Sequence, residues 1–166
     1  MNMQGFKYTI IISLIALTLG HSCKKKPDPL FVLNEVELYP SSASKTKVKS
    51  NQQWVAILHA NLFQSALSSN ELYELSECIS SIGDKELARE VIISNFMNED
   101  GVIMPSEDEM RNDIEKFVED TYVRFLVRFP TESENSWYIN YIDNNPYVTP
   151  ELVYFSFALS NEYLYY

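Results

Sequence analysis

Carboxylates are the most frequent chemistry-bearing side chains in this chain, and they come in tight groups: Glu107-Asp108-Glu109, and Glu132 with Glu134. Paired carboxylates can divide general-acid and general-base work between them. Both groups, however, fall in the first turn of an expected helix, where negative charge favours the positive end of the helix dipole. That placement explains them without catalysis. The stretch Phe96 to Glu107 suggests calcium instead. Asn98, Asp100, Gly101, Ile103 and Glu107 fall at positions three, five, six, eight and twelve of an EF-hand-like loop, but Phe96 occupies position one, where an aspartate ligand belongs. Without that ligand the stretch reads as a solvated acidic loop and no metal site is expected.

His59 has no second histidine or cysteine at ligand spacing. Zinc binding and Ser–His or Cys–His catalysis both need convergent partners, which are missing. Cys78 lies beside the apolar series Leu72, Leu75, Ile79 and Ile82, with Glu74 and Glu77 close by. Carboxylates oppose thiolate formation, so a buried, inert thiol is expected. The expectation is a non-catalytic protein with no cofactor.

Aromatic residues crowd the last third: Trp137, Tyr138, Tyr141, Tyr147, Tyr154, Phe155, Phe157, Tyr163, Tyr165 and Tyr166. Exposed tyrosines and tryptophans stack on sugars or anchor protein partners. Helical spacing consigns most of them to the core. Tyr163, Tyr165 and Tyr166 remain as the expected partner surface.

The first residues carry the most specific signal. Lys7 precedes an almost wholly apolar run from Tyr8 to Leu19, followed by Gly20-His21-Ser22, Cys23 and Lys24-Lys25-Lys26. This is the order of a secretory signal peptide. It resembles the lipobox of bacterial lipoproteins, which implies that Cys23 is acylated and becomes the mature N-terminus. An apolar run of about a dozen residues is too short to span a bilayer, which takes about 20. Three segments are expected: a signal peptide over 1–22, the lipidated Cys23 with a flexible tether over 23–50, and a helical domain over 51–166. Lysines rather than aspartate follow Cys23, which favours the outer membrane over the inner.

Charge supports this division. The chain has 13 basic and 23 acidic residues, net −10. Residues 24–49 are net positive and everything beyond is strongly acidic, which excludes a phosphate backbone as partner. With Cys23 acylated, Cys78 has no partner and disulfides do not hold the fold. Pro27, Pro29, Pro40 and Ser41 to Ser44 suit a mobile spacer.

From Asn51 onward the apolar period is helical and the fold class is all-α: a bundle of about six helices behind a disordered tether. Trp54, Ile57, Leu58, Leu62 and Phe63 mark the first helix. Ser68-x-x-Glu71 caps the second, Asp84 the third, which carries Leu87, Val91, Ile92 and Phe96, and Ser106-x-x-Glu109 the fourth. The fourth is expected to run unbroken for about 24 residues until Pro130. Thr131-x-x-Glu134 opens the fifth, and Thr149-Pro150 the last, apolar nearly all round and so central. An internal echo, pairing Phe63-Gln64 with Tyr122-Val123 and Glu86-Leu87 with Glu151-Leu152, suggests two related three-helix units.

The order Tyr122…Arg128-Phe129-Pro130, then Trp137-Tyr138, then Ser160-Asn161-Glu162-Tyr163 is similar to the uncharacterised helical domain related to phycobilisome linker repeats. Val127 stands where that family has glycine before the arginine. The resemblance implies a structural motif of Arg128, Pro130, Trp137, Glu162 and Tyr163, and a binding or assembly role. Arg128, near a helix end, is placed to satisfy carbonyls or to pair with Glu162. Together these observations lead to the expectation of an envelope lipoprotein that binds a protein partner, with glycan binding through the C-terminal aromatics as the alternative.

Overall fold

Local hydrogen bonding sets the helix starts. Ser50, Ser68, Ser106 and Thr131 each close a reciprocal capping box with Gln53, Glu71, Glu109 and Glu134, satisfying two otherwise orphaned N–H groups apiece. Asp84, Asp113 and Thr149 cap with their side chains alone. In the computed structural model, which describes residues 38–41 and 44–166, these caps launch seven α-helices. They are α1 (Asn51–Phe63), α2 (Ser69–Ser81), α3 (Lys85–Met97), α4 (Glu107–Asn112), α5 (Ile114–Leu126), α6 (Glu132–Asn144) and α7 (Pro150–Leu159), followed by a 3-10 turn at Glu162–Leu164. The fold is all-α. The expected signal segment and Cys23 lie outside the described residues.

The expected long fourth helix is two helices. Asp113 (φ −149°, ψ 78°) leaves helical conformation and caps α5 by accepting from the Lys116 N–H. An aspartate whose side chain bonds the backbone ahead of it competes with helix continuation. The junction turns α4 away so that Met110 is fully buried.

Two copies of one plan make up the body. Helices α1, α2 and α3 pack on one another, α5 packs on α6 and α7, and α3 lies against α7. Both α1 and α5 have 13 residues, as do α2 and α6. The buried set of α1 (Trp54, Val55, Leu58, His59, Leu62) recurs in α5 as Phe117, Val118, Thr121, Tyr122 and Phe125. Both helices stop at a non-glycine residue in left-handed conformation, Gln64 (φ 51°) and Val127 (φ 54°). The register therefore pairs Gln64 with Val127, not with Val123 as the sequence echo suggested. Matching letters misplaced it; matching helix ends fixes it. The second helix of each unit also ends on a cation. Lys85 Nζ donates to the carbonyls of Ile79, Ser80 and Ile82, and Arg111 donates to those of Ile142, Asn145, Pro146 and Val148.

The segment before each unit's first helix crosses to the other unit. The Ile103 N–H donates to Leu62 O at 2.7 Å and the Tyr39 N–H to Val127 O at 2.8 Å. So the expected tether does not remain free up to residue 50. Residues 38–41 and 44–50 form a strap on the body, because its amides and lysines find carbonyls near helix ends to pair with.

Three burial expectations are also corrected. Cys78 is exposed, because α2 turns its Ser76–Ile79 edge inward. Leu87 and Val91 are about half exposed, since α3 turns Ala88 and Ile93 inward beside the expected Ile92 and Phe96. The last helix, α7, is one-sided: Val153, Tyr154, Phe157 and Ala158 face the core while Leu152 is 48% exposed.

Candidate functional site

The densest arrangement of charged groups is a knot at the C-terminal end of α5. Val127 in left-handed conformation turns the chain sharply, and this places Arg128 inside, only 5% exposed. Its guanidinium uses all five donors. Nε and one terminal nitrogen grip Glu162 at 2.7 Å each. Two further bonds of 2.9 and 2.8 Å grip Glu134, and one of 3.1 Å reaches Phe129 O. The guanidinium also lies 4.9 Å from the centre of the Tyr122 ring. Two-pronged pairs of this kind are the strongest neutral-pH side-chain contacts proteins make.

These contacts set the protonation states. The Arg128 hydrogen bonds hold the Glu134 carboxyl down at about 2 against the opposing effect of burial. Burial pushes Glu162 up, but Arg128 and Lys45 outweigh it and leave its carboxyl below the ordinary value. Burial pushes Lys45 down, and Glu162 only partly restores it.

The strap completes the knot. Lys45 Nζ donates to Leu126 O and lies 3.2 Å from Glu162. Lys49 donates to the carbonyls of Tyr163 and Tyr165 and sits over the Tyr163 ring. The Tyr166 N–H donates to Lys47 O. Burial brings the Lys49 ammonium down to about 8.

The structure unites Arg128, Glu162 and Tyr163 from the expected motif, and separates Trp137 from them. Tyr163 is fully buried, against Trp54, Phe125 and the Asn61 amide, so it is not a partner surface. The strap pairs with its neighbours, leaving Tyr165 and Tyr166 half-buried. Pro130 keeps its place, half-buried before the Thr131 cap. Trp137 is 58% exposed and therefore not a core residue. It stacks on Tyr141, with ring centres 5.1 Å apart and planes 7° apart. Sequence reasoning missed this pair as a surface feature, although its i, i+4 spacing was there to find it.

Elsewhere His59 and the charged groups of the concavity make local contacts. His59 is packed between Phe63 and Phe96, and its Nδ1 lies 3.0 Å from Ser65 O. A concavity of about 720 Å³ is floored by Met110 and Phe117. Its charged rim is occupied: Glu109 in a capping box, Asp113 as a cap, Lys116 with Asp120, and Arg124 with Ile103 O and the Tyr154 hydroxyl. No group of three His, Cys, Asp or Glu converges among the described residues. In the acidic loop, Asn98 donates to Ser94 O and Gly101 (φ 93°) makes a turn. No family model, curated protein or solved structure matches the chain.

Proposed function

We propose that this chain is a lipid-anchored bacterial envelope protein, with acylated Cys23 as the anchor and a non-catalytic helical body that binds a protein partner in the outer membrane. The strap carries this proposal. Residues 38–41 and 44–50 are held to the body by Lys45, Lys49 and the Arg128 knot, so load on an anchor upstream of them would pass to the core. Such a joint suits a presenter of a surface, and the rim groups around the large concavity are already engaged in caps and pairs.

Crosslinking in intact cells followed by pull-down tests the partner. One protein recovered in stoichiometric amount is the expected result; recovery of the chain alone contradicts it.

A second proposal, a glycan-binding accessory protein, is favoured by one observation, the exposed Trp137–Tyr141 stack. Aromatic faces of this size pack against sugar rings. Glycan-array binding that is lost in Trp137→Ala would favour it over a protein partner.

A further inference from the structure

Three buried side-chain polar atoms among the described residues have no hydrogen-bond partner: Trp54 Nε1, Arg89 Nε and Asn135 Oδ1. Two of them belong to residues that meet where α1 packs on α3. Trp54 is 1% exposed, and the Arg89 guanidinium carbon lies 5.8 Å from the centre of its indole ring. An indole N–H and a guanidinium Nε–H can only donate, so neither can satisfy the other. A buried donor left unmet costs free energy, and two in one place call for an acceptor. Arg89 also stands apart from the other arginines. Arg111, Arg124 and Arg128 are each hydrogen-bonded through their guanidinium groups. Arg89 has neither a hydrogen bond nor an ion pair among the described residues. Glu86 and Glu90 share its helix, but neither comes within ion-pairing distance. Lys85, one turn earlier, is taken up by the carbonyls of Ile79, Ser80 and Ile82.

We propose that Trp54 and Arg89 form a binding site for a carboxylate group. An ionised carboxylate is acceptor-only and has two oxygens, so one group can answer both the indole N–H and the guanidinium. Its plane matches the fork of the guanidinium, and a charge-assisted pair of this kind is stronger than a neutral hydrogen bond. The surrounding charge selects against larger anions. One cation stands on a chain of net charge −10, with Glu86 and Glu90 on the same helix. A phosphate dianion meets that repulsion with both its charges, whereas a carboxylate meets it with one and keeps the fork. Arg89 is half-buried, so its side chain retains access to solvent above the enclosed indole. Trp54 is held from the other side by an edge contact with buried Tyr163, and the start of α1 by the Ser50 capping box. The donors are thus fixed before any ligand arrives. A free carboxylic acid or an acidic side chain of a protein supplies the same group.

The test uses the full chain in detergent, isotope-labelled so that the indole N–H resonances of Trp54 and Trp137 can be followed by NMR. A Trp137→Phe variant assigns the two signals. Sodium acetate and a short glutamate-containing peptide with blocked ends are titrated at constant ionic strength. Sodium chloride, phosphate and the glutamine form of the peptide serve as controls. The expected result is a saturable shift of the Trp54 N–H with acetate or the glutamate peptide and little change with the controls. Arg89→Gln and Arg89→Lys should each weaken that response several-fold, the first by removing the charge and the second by removing the fork. Equal affinity for acetate and peptide would assign a free carboxylate as the ligand; a peptide bound several-fold tighter would assign an acidic side chain. No Trp54 shift with either carboxylate would overturn the site. An equal response to chloride or phosphate would show an adventitious ion only, and a response undiminished in both Arg89 variants would remove Arg89 from the site. The titration contains neither vesicles nor a partner, so its failure leaves the anchor and partner proposals standing.

Discussion

Arg128 and Glu162, 34 residues apart in sequence, face each other through two parallel hydrogen bonds of 2.7 Å, one from Nε and one from a terminal nitrogen. This pair joins the end of α5 to the 3-10 turn, and Lys45 closes it from the strap. Removing Arg128 takes the main partner from Glu134 and Glu162 and leaves only Lys45 beside Glu162.

Arg128→Ala is therefore expected to cost about 3 kcal/mol, the low end of the range for breaking a buried ion pair, because both carboxylates keep partial contact with solvent. At roughly 3–5 °C per kcal/mol for a body between the small-domain and large-domain ranges, the melting temperature should fall by about 10 °C. Arg128→Lys should recover only a minor part, because an ammonium cannot span two carboxylates in fork geometry. An unchanged melt accompanied by lost partner binding would show that Arg128 serves recognition instead.

Acid should loosen the same knot. Arg128 holds Glu134 at about 2, against an ordinary value of 4.5. A carboxyl depressed on folding contributes stability that is complete above 4.5 and lost as pH falls through 2. Urea midpoints of the wild type should drop through that window, whereas Glu134→Gln should start lower and slope less. Parallel profiles would refute the assignment.

Lys45→Met keeps the apolar stem and removes the Nζ contacts to Leu126 O and Glu162. A loss of about 1–2 kcal/mol is expected. Hydrogen exchange gives the more specific check: the Tyr39 amide, bonded to Val127 O, should exchange faster in the variant. Unaltered Tyr39 protection would mean the strap is held by other contacts.

Val127 occupies a conformation that suits glycine, at φ 54°. Left-handed geometry costs a residue with a Cβ about 1–2 kcal/mol, and glycine's extra freedom in the unfolded chain returns only part of that. Val127→Gly should therefore raise the denaturation midpoint by a net gain of about 0.5–1 kcal/mol with no change in slope. A lowered midpoint would show that packing of the half-buried valine outweighs its backbone strain.

Caps were legible because they are local. Ser68 and Glu71, Ser106 and Glu109, and Thr131 and Glu134 announce their helices within four residues, and each forms the expected capping box. Asp113 was harder, since Met110, Ile114, Phe117 and Val118 keep an apolar stripe running through the break. On α6 the apolar series could be rotated either way; the core takes Ile142 and the partly buried Tyr138, leaving Trp137 and Tyr141 outside. Burial of Tyr163 depends on Trp54 and Phe125, which are remote in sequence. The strap is likewise long-range: Lys45 meets Leu126 O 81 residues away, and no local pattern encodes that meeting.

Metabolic labelling with a palmitate analogue, followed by fractionation of wild type and Cys23→Ser, tests the anchored-presenter proposal most directly. The expected result is a labelled wild type in the membrane fraction and an unlabelled, soluble Cys23→Ser that still melts cooperatively. A Cys23→Ser chain that stays with the membrane, or a wild type that takes no label, would contradict it.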